Sequence, residues 1–189
     1  LSNANMALDK LDYKYCYSFV LQHPENRIVT PVTSIKLFLC AVYCIKDNIV
    51  YELDIYTDPE IEIMMRRTTI LFPLRYDNIR SIEEASVKFS NTYYGIQGIV
   101  IKSGGVRSKI RNNNYNRVRD IRGNHSKLQY HYYCMRKNNI TQEYLYYFPE
   151  HTQEILSIEN TLIHFIHILH HYYLEYFVNR GPGDIKLYP

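Results

Sequence analysis

Tryptophan is missing from this chain, and so are long polar tracts. With 46% apolar residues over 189 positions, the sequence describes a globular protein able to bury a real core. No apolar run reaches the roughly 20 residues that a membrane-spanning helix requires, and the N-terminus lacks a basic stretch followed by an apolar one. The expectation is a protein with no membrane partner in an intracellular, reducing compartment, whether cytoplasm, viral factory or virion. Cys16, Cys40, Cys44 and Cys134 fit that setting. None are spaced Cys-x-x-Cys and all lie in apolar segments, so they are expected to be buried free thiols.

Enzyme signatures are equally scarce. There is no Gly-x-Ser-x-Gly, no His-Glu-x-x-His and no phosphate loop. The histidines His164, His167, His170 and His171 recur at helical spacing, with Glu175 the nearest acid. A zinc site would want further carboxylate or thiolate ligands, so the polar face of an amphipathic helix is the simpler reading.

Acids are what the middle of the chain lacks. From Lys102 to Lys137 ten cations (Lys102, Arg107, Lys109, Arg111, Arg117, Arg119, Arg122, Lys127, Arg136, Lys137) face the single acid Asp120, a local charge of +9. The whole chain carries only +3, so the remainder is net acidic. Such asymmetry points to a polyanionic partner for that segment.

What is abundant is tyrosine, at 20 residues, alongside many Ile and Asn. That usage matches the bias of an AT-rich genome, and the tyrosines are expected to fill half-buried positions with their hydroxyls at the wet end. β-branched and aromatic runs predict strands over 15–20, 34–45 and 49–57, with extended structure also at Arg27–Val29 and a hairpin turn at Lys46-Asp47-Asn48. Asp58-Pro59 breaks the sheet, and 60–67 is open to helix or strand. Ser81-Ile82-Glu83-Glu84 is a capping-box pattern opening a helix to about Phe89. Two strands, 96–102 and 106–111, flank Gly104-Gly105. Helices follow over 115–121, ended by Gly123, then over 126–137 and 141–148, the last opened by a Thr141 cap. A long final helix runs from Pro149 to about Asn179, with one broad apolar face from Ile155 to Tyr173, and Gly181-Pro182-Gly183 stops it.

In the strand pair, alternation puts Lys109 and Arg111 on one side with Ile110 behind them, close to Lys102. Side-by-side cations of this kind suit a triphosphate or an RNA backbone.

Three stretches extend that reading. Pro24-Glu25-Asn26-Arg27-Ile28-Val29 with Lys36-Leu37-Phe38-Leu39 is similar to the region around motifs III and IIIa of the phage-type ATP-dependent RNA ligases, which belong to the covalent nucleotidyltransferase superfamily. Gln97-Gly98-Ile99-Val100-Ile101 is similar to their motif IV. Lys109-Ile110-Arg111-Asn112 with Tyr115 is similar to motif V, and the order is the family's.

The resemblance implies an α+β fold, with an antiparallel, β-rich partial nucleotidyltransferase domain over 1–122 and an all-helical C-terminal domain over 123–189. It implies ATP and Mg²⁺ as cofactors and RNA 5′-phosphate ends as partner. Lys109, Arg111 and Lys102 would be phosphate contacts, with Phe19 or Phe38 near the base. Gln97 would take the metal-side position, where the family has a glutamate, and Arg107, Arg117, Arg119, Arg122 and Lys127 would lie along RNA. Arg27 would fix the loop before it.

The family's nucleophile is the lysine of a Lys-x-Asp-Gly motif upstream of motif III, and this sequence has no such motif. Two readings follow. The chain is the C-terminal part of a longer or split ligase, whose missing N-terminal half would then be a partner, or it is a degenerate ligase that binds nucleotide and RNA without self-adenylylation. The rival class is a structural or scaffold protein, possible in a virion, that reuses the ligase fold.

Overall fold

The computed structural model describes residues 11–66, 68–103 and 106–179. The chain divides into two compact units, Leu1–Arg119 and Asp120–Pro189. Its fold is α+β, with antiparallel sheets first and helices towards the C-terminus.

In the first unit, β1 (Tyr15–Gln22), β2 (Lys36–Lys46) and β3 (Ile49–Leu53) form an antiparallel sheet in that order. The β2–β3 turn places Asp47 at φ 50° and Asn48 at φ 61°, the left-handed pair of a type I′ turn that Asp and Asn tolerate. Alternation sends Tyr15, Tyr17 and Phe19 of β1 to the same side as Leu37, Leu39 and Val42 of β2, where they join Ile55, Ile61, Met65 and Ile70 in one apolar cluster. Cys40 makes this possible. Ser18 pairs with Ala41 and Phe19 with Leu39, so Cys40 is the extra residue of a β-bulge that keeps Leu39 and Val42 on one face.

Helix α1 (Pro59–Met65) closes the cluster with Ile61 and Met65. The choice of helix over strand here is made by capping: the Asp58 carboxylate accepts from Glu60 N at 3.0 Å and Ile61 N at 3.2 Å, and Pro59 supplies a preset φ at the first helical position. Helix α2 (Ile82–Phe89) starts as its sequence predicts, with Ser81 Oγ accepting from Glu84 N at 3.1 Å. The returning Glu84 carboxylate accepts from Arg80 N at 3.0 Å, one residue earlier than a capping box requires. Strands β4 (Gly98–Ser103) and β5 (Val106–Arg111) pair antiparallel, and the expected Gly104-Gly105 turn lies outside the described residues. Helix α3 (Asn113–Arg122) ends at Gly123, φ 63°.

The second unit contains α4 (Leu128–Lys137), α5 (Thr141–Tyr147), a 3₁₀ turn (Pro149–His151) and α6 (Thr152–Tyr173), which runs into a π-helical turn (Leu174–Val178). Tyr132, Met135, Tyr144, Phe148 and Ile155 are its most deeply buried side chains. Tyr132 Oη donates to Glu159 Oε1 at 3.1 Å and accepts from Arg136 Nη1 at 3.1 Å, which ties α4 to α6.

Several expectations are corrected. Arg27–Val29 is irregular and bent, not a strand. Thr141 is the first residue of α5 and caps nothing; Ile140 holds the cap position without a side-chain bond. Cys16 is exposed, because it alternates with the inward Tyr15 and Tyr17. Tyr132 and Tyr144 are buried whole, their hydroxyls satisfied by protein partners. Along α6 only Ile155 is fully buried, whereas Phe165, Ile166, Leu169 and Tyr173 are exposed. A 22-residue helix outruns the 10-residue α4 packed on it by roughly 18 Å. The Gly181-Pro182-Gly183 stop lies outside the described residues.

His131 gives this unit a pH dependence. It is buried, and Nε2 lies 3.1 Å from Ile121 O, so Nε2 carries the proton and Nδ1 presents a lone pair. Nδ1 has no hydrogen-bond partner among the described residues. Burial is the main cause that holds the imidazole below its ordinary value of 6.5, with His125, His151 and Arg122 adding repulsion against the bond to Ile121 O. The neutral form is thus the folded one. Its contribution is intact above the unfolded value and is lost as pH falls below 6.5 through the folded one. Thermal melts between pH 7.5 and 5 are expected to show a falling midpoint, with a shallower fall in His131→Phe. Parallel pH profiles would refute the assignment.

Candidate phosphate-binding face

The β4–β5 register pairs Lys102 with Arg107, Val100 with Lys109 and Gly98 with Arg111. Directly opposed residues of an antiparallel pair share a face, so all four cations project to one side while Ile99, Ile101 and Ile110 take the other. The strand reasoning from sequence therefore holds for Lys109 and Arg111, with Ile110 half-buried behind them.

The four cations are not equivalent. Lys102 Nζ and Arg107 Nη2 converge on the carboxylate of Glu52 in β3, the arginine at 3.1 Å, and the Arg107 guanidinium lies 5.3 Å from the centre of the Tyr43 ring. Glu52 was not visible as a site residue in the sequence, since it lies 50 and 55 positions from the cations it pairs. Lys109 and Arg111 are exposed and form no ion pair among the described residues. One carboxylate thus sets two of the cations in place, and the other two remain available to an anion.

The face is anchored at its far end by Asn112, a fully buried polar residue. Its Nδ2 donates to the carbonyls of Thr92 at 3.2 Å, Tyr93 at 2.9 Å and Ile96 at 2.8 Å. Its Oδ1 accepts from Asn114 N at 3.0 Å, which caps α3, and its own N–H donates to Gln97 O at 3.1 Å. One amide therefore joins the loop before β4, the end of β5 and the start of α3. An Asn directly before a helix was the available signal for the cap, but nothing local announced the three carbonyls.

Other expected site residues are not gathered. Gln97 precedes β4 and is exposed, contributing its backbone carbonyl to Asn112. Among the described residues no group of three His, Cys, Asp or Glu side chains is placed to hold a metal ion. A neutral amide such as Gln97 is a weaker ligand for Mg²⁺ than a carboxylate. Phe19 opposes Leu39 and packs on the core cluster, whereas Phe38 opposes Val20 and so faces the other side of the sheet. The two phenylalanines lie on opposite sides of the sheet, so a single base site could be lined by one of them. On α3, Arg117 and Arg119 diverge by roughly 160° around the helix and flank the buried Tyr115 and Val118. Arg122 is half-buried, its Nη1 3.4 Å from Gly123 O, and Lys127 is exposed at the start of α4.

No family model, curated protein or solved structure matches the chain.

Proposed function

We propose that this chain binds the phosphates of RNA through the cationic face of β4–β5, as a ligase-like module that does not itself become adenylylated. The observation that carries the reading is the shared face of Lys102, Arg107, Lys109 and Arg111, on which two cations are held by Glu52 and two are unpaired among the described residues. Exposed cations aligned on one face of a strand pair favour a backbone ligand over a buried substrate. No Lys-x-Asp-Gly motif is present in the sequence, and Gln97 offers an amide where a carboxylate would hold Mg²⁺ more strongly.

Lys109→Ala with Arg111→Ala is expected to weaken binding of a labelled 5′-phosphorylated RNA at least ~tenfold. Loss of two phosphate contacts should also lower the magnitude of the salt slope by about 1.4. Unchanged affinity and slope, measured by fluorescence anisotropy across a salt series, would remove the reading. Incubation with labelled ATP and Mg²⁺ is expected to leave the chain unlabelled; a covalent AMP adduct would contradict the second half of the proposal.

One observation favours a second reading, a structural protein that contacts other proteins. Phe165, Ile166, Leu169, Tyr173 and Phe177 of the C-terminal helical run are exposed, an apolar surface of the kind used for protein contacts. That reading predicts no salt-dependent RNA affinity.

A further inference from the structure

We infer that the helical unit has a contact of its own for single-stranded RNA on the solvent side of α4, where Tyr130 and Tyr133 stand between Lys127 and Lys137. The inference rests on the reading of the chain as an RNA-binding module, but it concerns different residues and a different interaction. It is carried by the way α4 divides its side chains. His131, Tyr132 and Met135 turn inward and are buried, while Tyr130 and Tyr133 are 60% and 38% exposed. Steps of three and four residues place Tyr130, Tyr133 and Lys137 along one stripe, and Lys127 is the cap residue that leads into the helix.

Two aromatic rings stand in the middle of a solvent-facing stripe, Tyr130 mostly open to water and Tyr133 about one third open. Each is nonetheless held. Gln129 Nε2 donates to Tyr133 Oη at 2.9 Å, and the His125 ring meets Tyr130 nearly edge-on with centres 5.2 Å apart. The Tyr132 ring also lies 5.8 Å from that of Tyr133, and the part of each ring left exposed offers apolar surface on which an unpaired base can stack.

Charge selects the occupant. Helix α4 contains no acid, and the carboxylate that reaches it, Glu159, is engaged by Tyr132 and Arg136 on another side. Lys127 and Lys137 form no ion pair among the described residues, so phosphates on either side of the stacked bases would meet a cation. A duplex hides the faces of its bases and offers the tyrosines nothing to stack on, whereas a single strand exposes them.

The test uses the full chain and fluorescein-labelled oligouridylate, whose bases stack weakly on one another. Tyr130→Ala with Tyr133→Ala is expected to weaken binding about tenfold or more with the salt slope unchanged, since no charge is removed. Tyr130→Phe with Tyr133→Phe should keep wild-type affinity, and binding of duplex RNA should not respond to either pair. Both positions are exposed, so each variant is expected to fold, with circular dichroism as the check. Wild-type affinity in the alanine pair, or equal losses in the alanine and phenylalanine pairs, would overturn the stacking inference while leaving the Lys109–Arg111 face standing. A wild-type chain that binds no RNA would remove both, and a defect confined to Lys109→Ala/Arg111→Ala would leave only the first.

Discussion

Asn112→Asp is expected to destabilise the first unit by about 3–5 kcal/mol, comparable to breaking a buried polar network. The isosteric change replaces an N–H donor group with a carboxylate oxygen that faces the carbonyls of Thr92, Tyr93 and Ile96, all within 3.2 Å. A buried anion among three acceptor oxygens has no favourable partner, so the side chain must either take up a proton or leave the site. Asn112→Ala is milder, about 2–3 kcal/mol, because Thr92 O keeps a bond from Asn114 Nδ2 and Tyr93 O one from Ile96 N. Ile96 O keeps none among the bonds described. For a chain of this size each kcal/mol moves the melting temperature by about 2–4 °C. A drop of roughly 6–20 °C in Asn112→Asp is therefore expected by circular dichroism, with a smaller one in Asn112→Ala. Equal small shifts in both would mean that the amide is not the junction it looks to be.

Gly98→Ala is expected to cost about 3 kcal/mol or more and to disable the cationic face together with the fold. Gly98 has φ 142°, and a Cβ there would stand 2.2 Å from the backbone oxygen of Ile110 and 3.1 Å from Cα of Arg111. Neither neighbour is a side chain that can swing away. The strands must part at the position where Arg111 opposes residue 98, so Arg111 loses its alignment with Lys109. The expected signature is a lower melting temperature accompanied by weaker RNA binding at temperatures where the variant is still folded. Val100→Ala, on the same face and exposed, serves as the control and should shift both by little. If Gly98→Ala melts and binds as the wild type does, the close approach of the strands is not required.

Local signals accounted for most of the elements. The Asp47-Asn48 turn, the Ser81 cap, the alternation in β1 and β2 and the glycine after α3 each appear where short-range chemistry demanded them, because each depends on residues within one or two turns of chain. Where local reasoning failed, a distant group had intervened or a partner was too short. Thr141 looks like a cap by type, yet the chain enters α5 one residue earlier. The apolar periodicity of α6 signals burial, but a partner of 10 residues covers only its first turns.

For this protein, then, the sequence by itself determined an α+β chain with a basic middle segment, and it placed Lys109 and Arg111 on one side of a strand, since two-residue alternation is a property of the backbone alone. Only the tertiary structure decided which cations are available. Glu52 claims Lys102 and Arg107 from 50 and 55 residues away, Phe19 and Phe38 point to opposite sides of one sheet, and the amide of Asn112 collects three carbonyls from a loop 16 to 20 residues earlier. The physical reason is common to all three. Pairing between side chains depends on where folding brings distant segments, and periodicity along the chain carries no record of that.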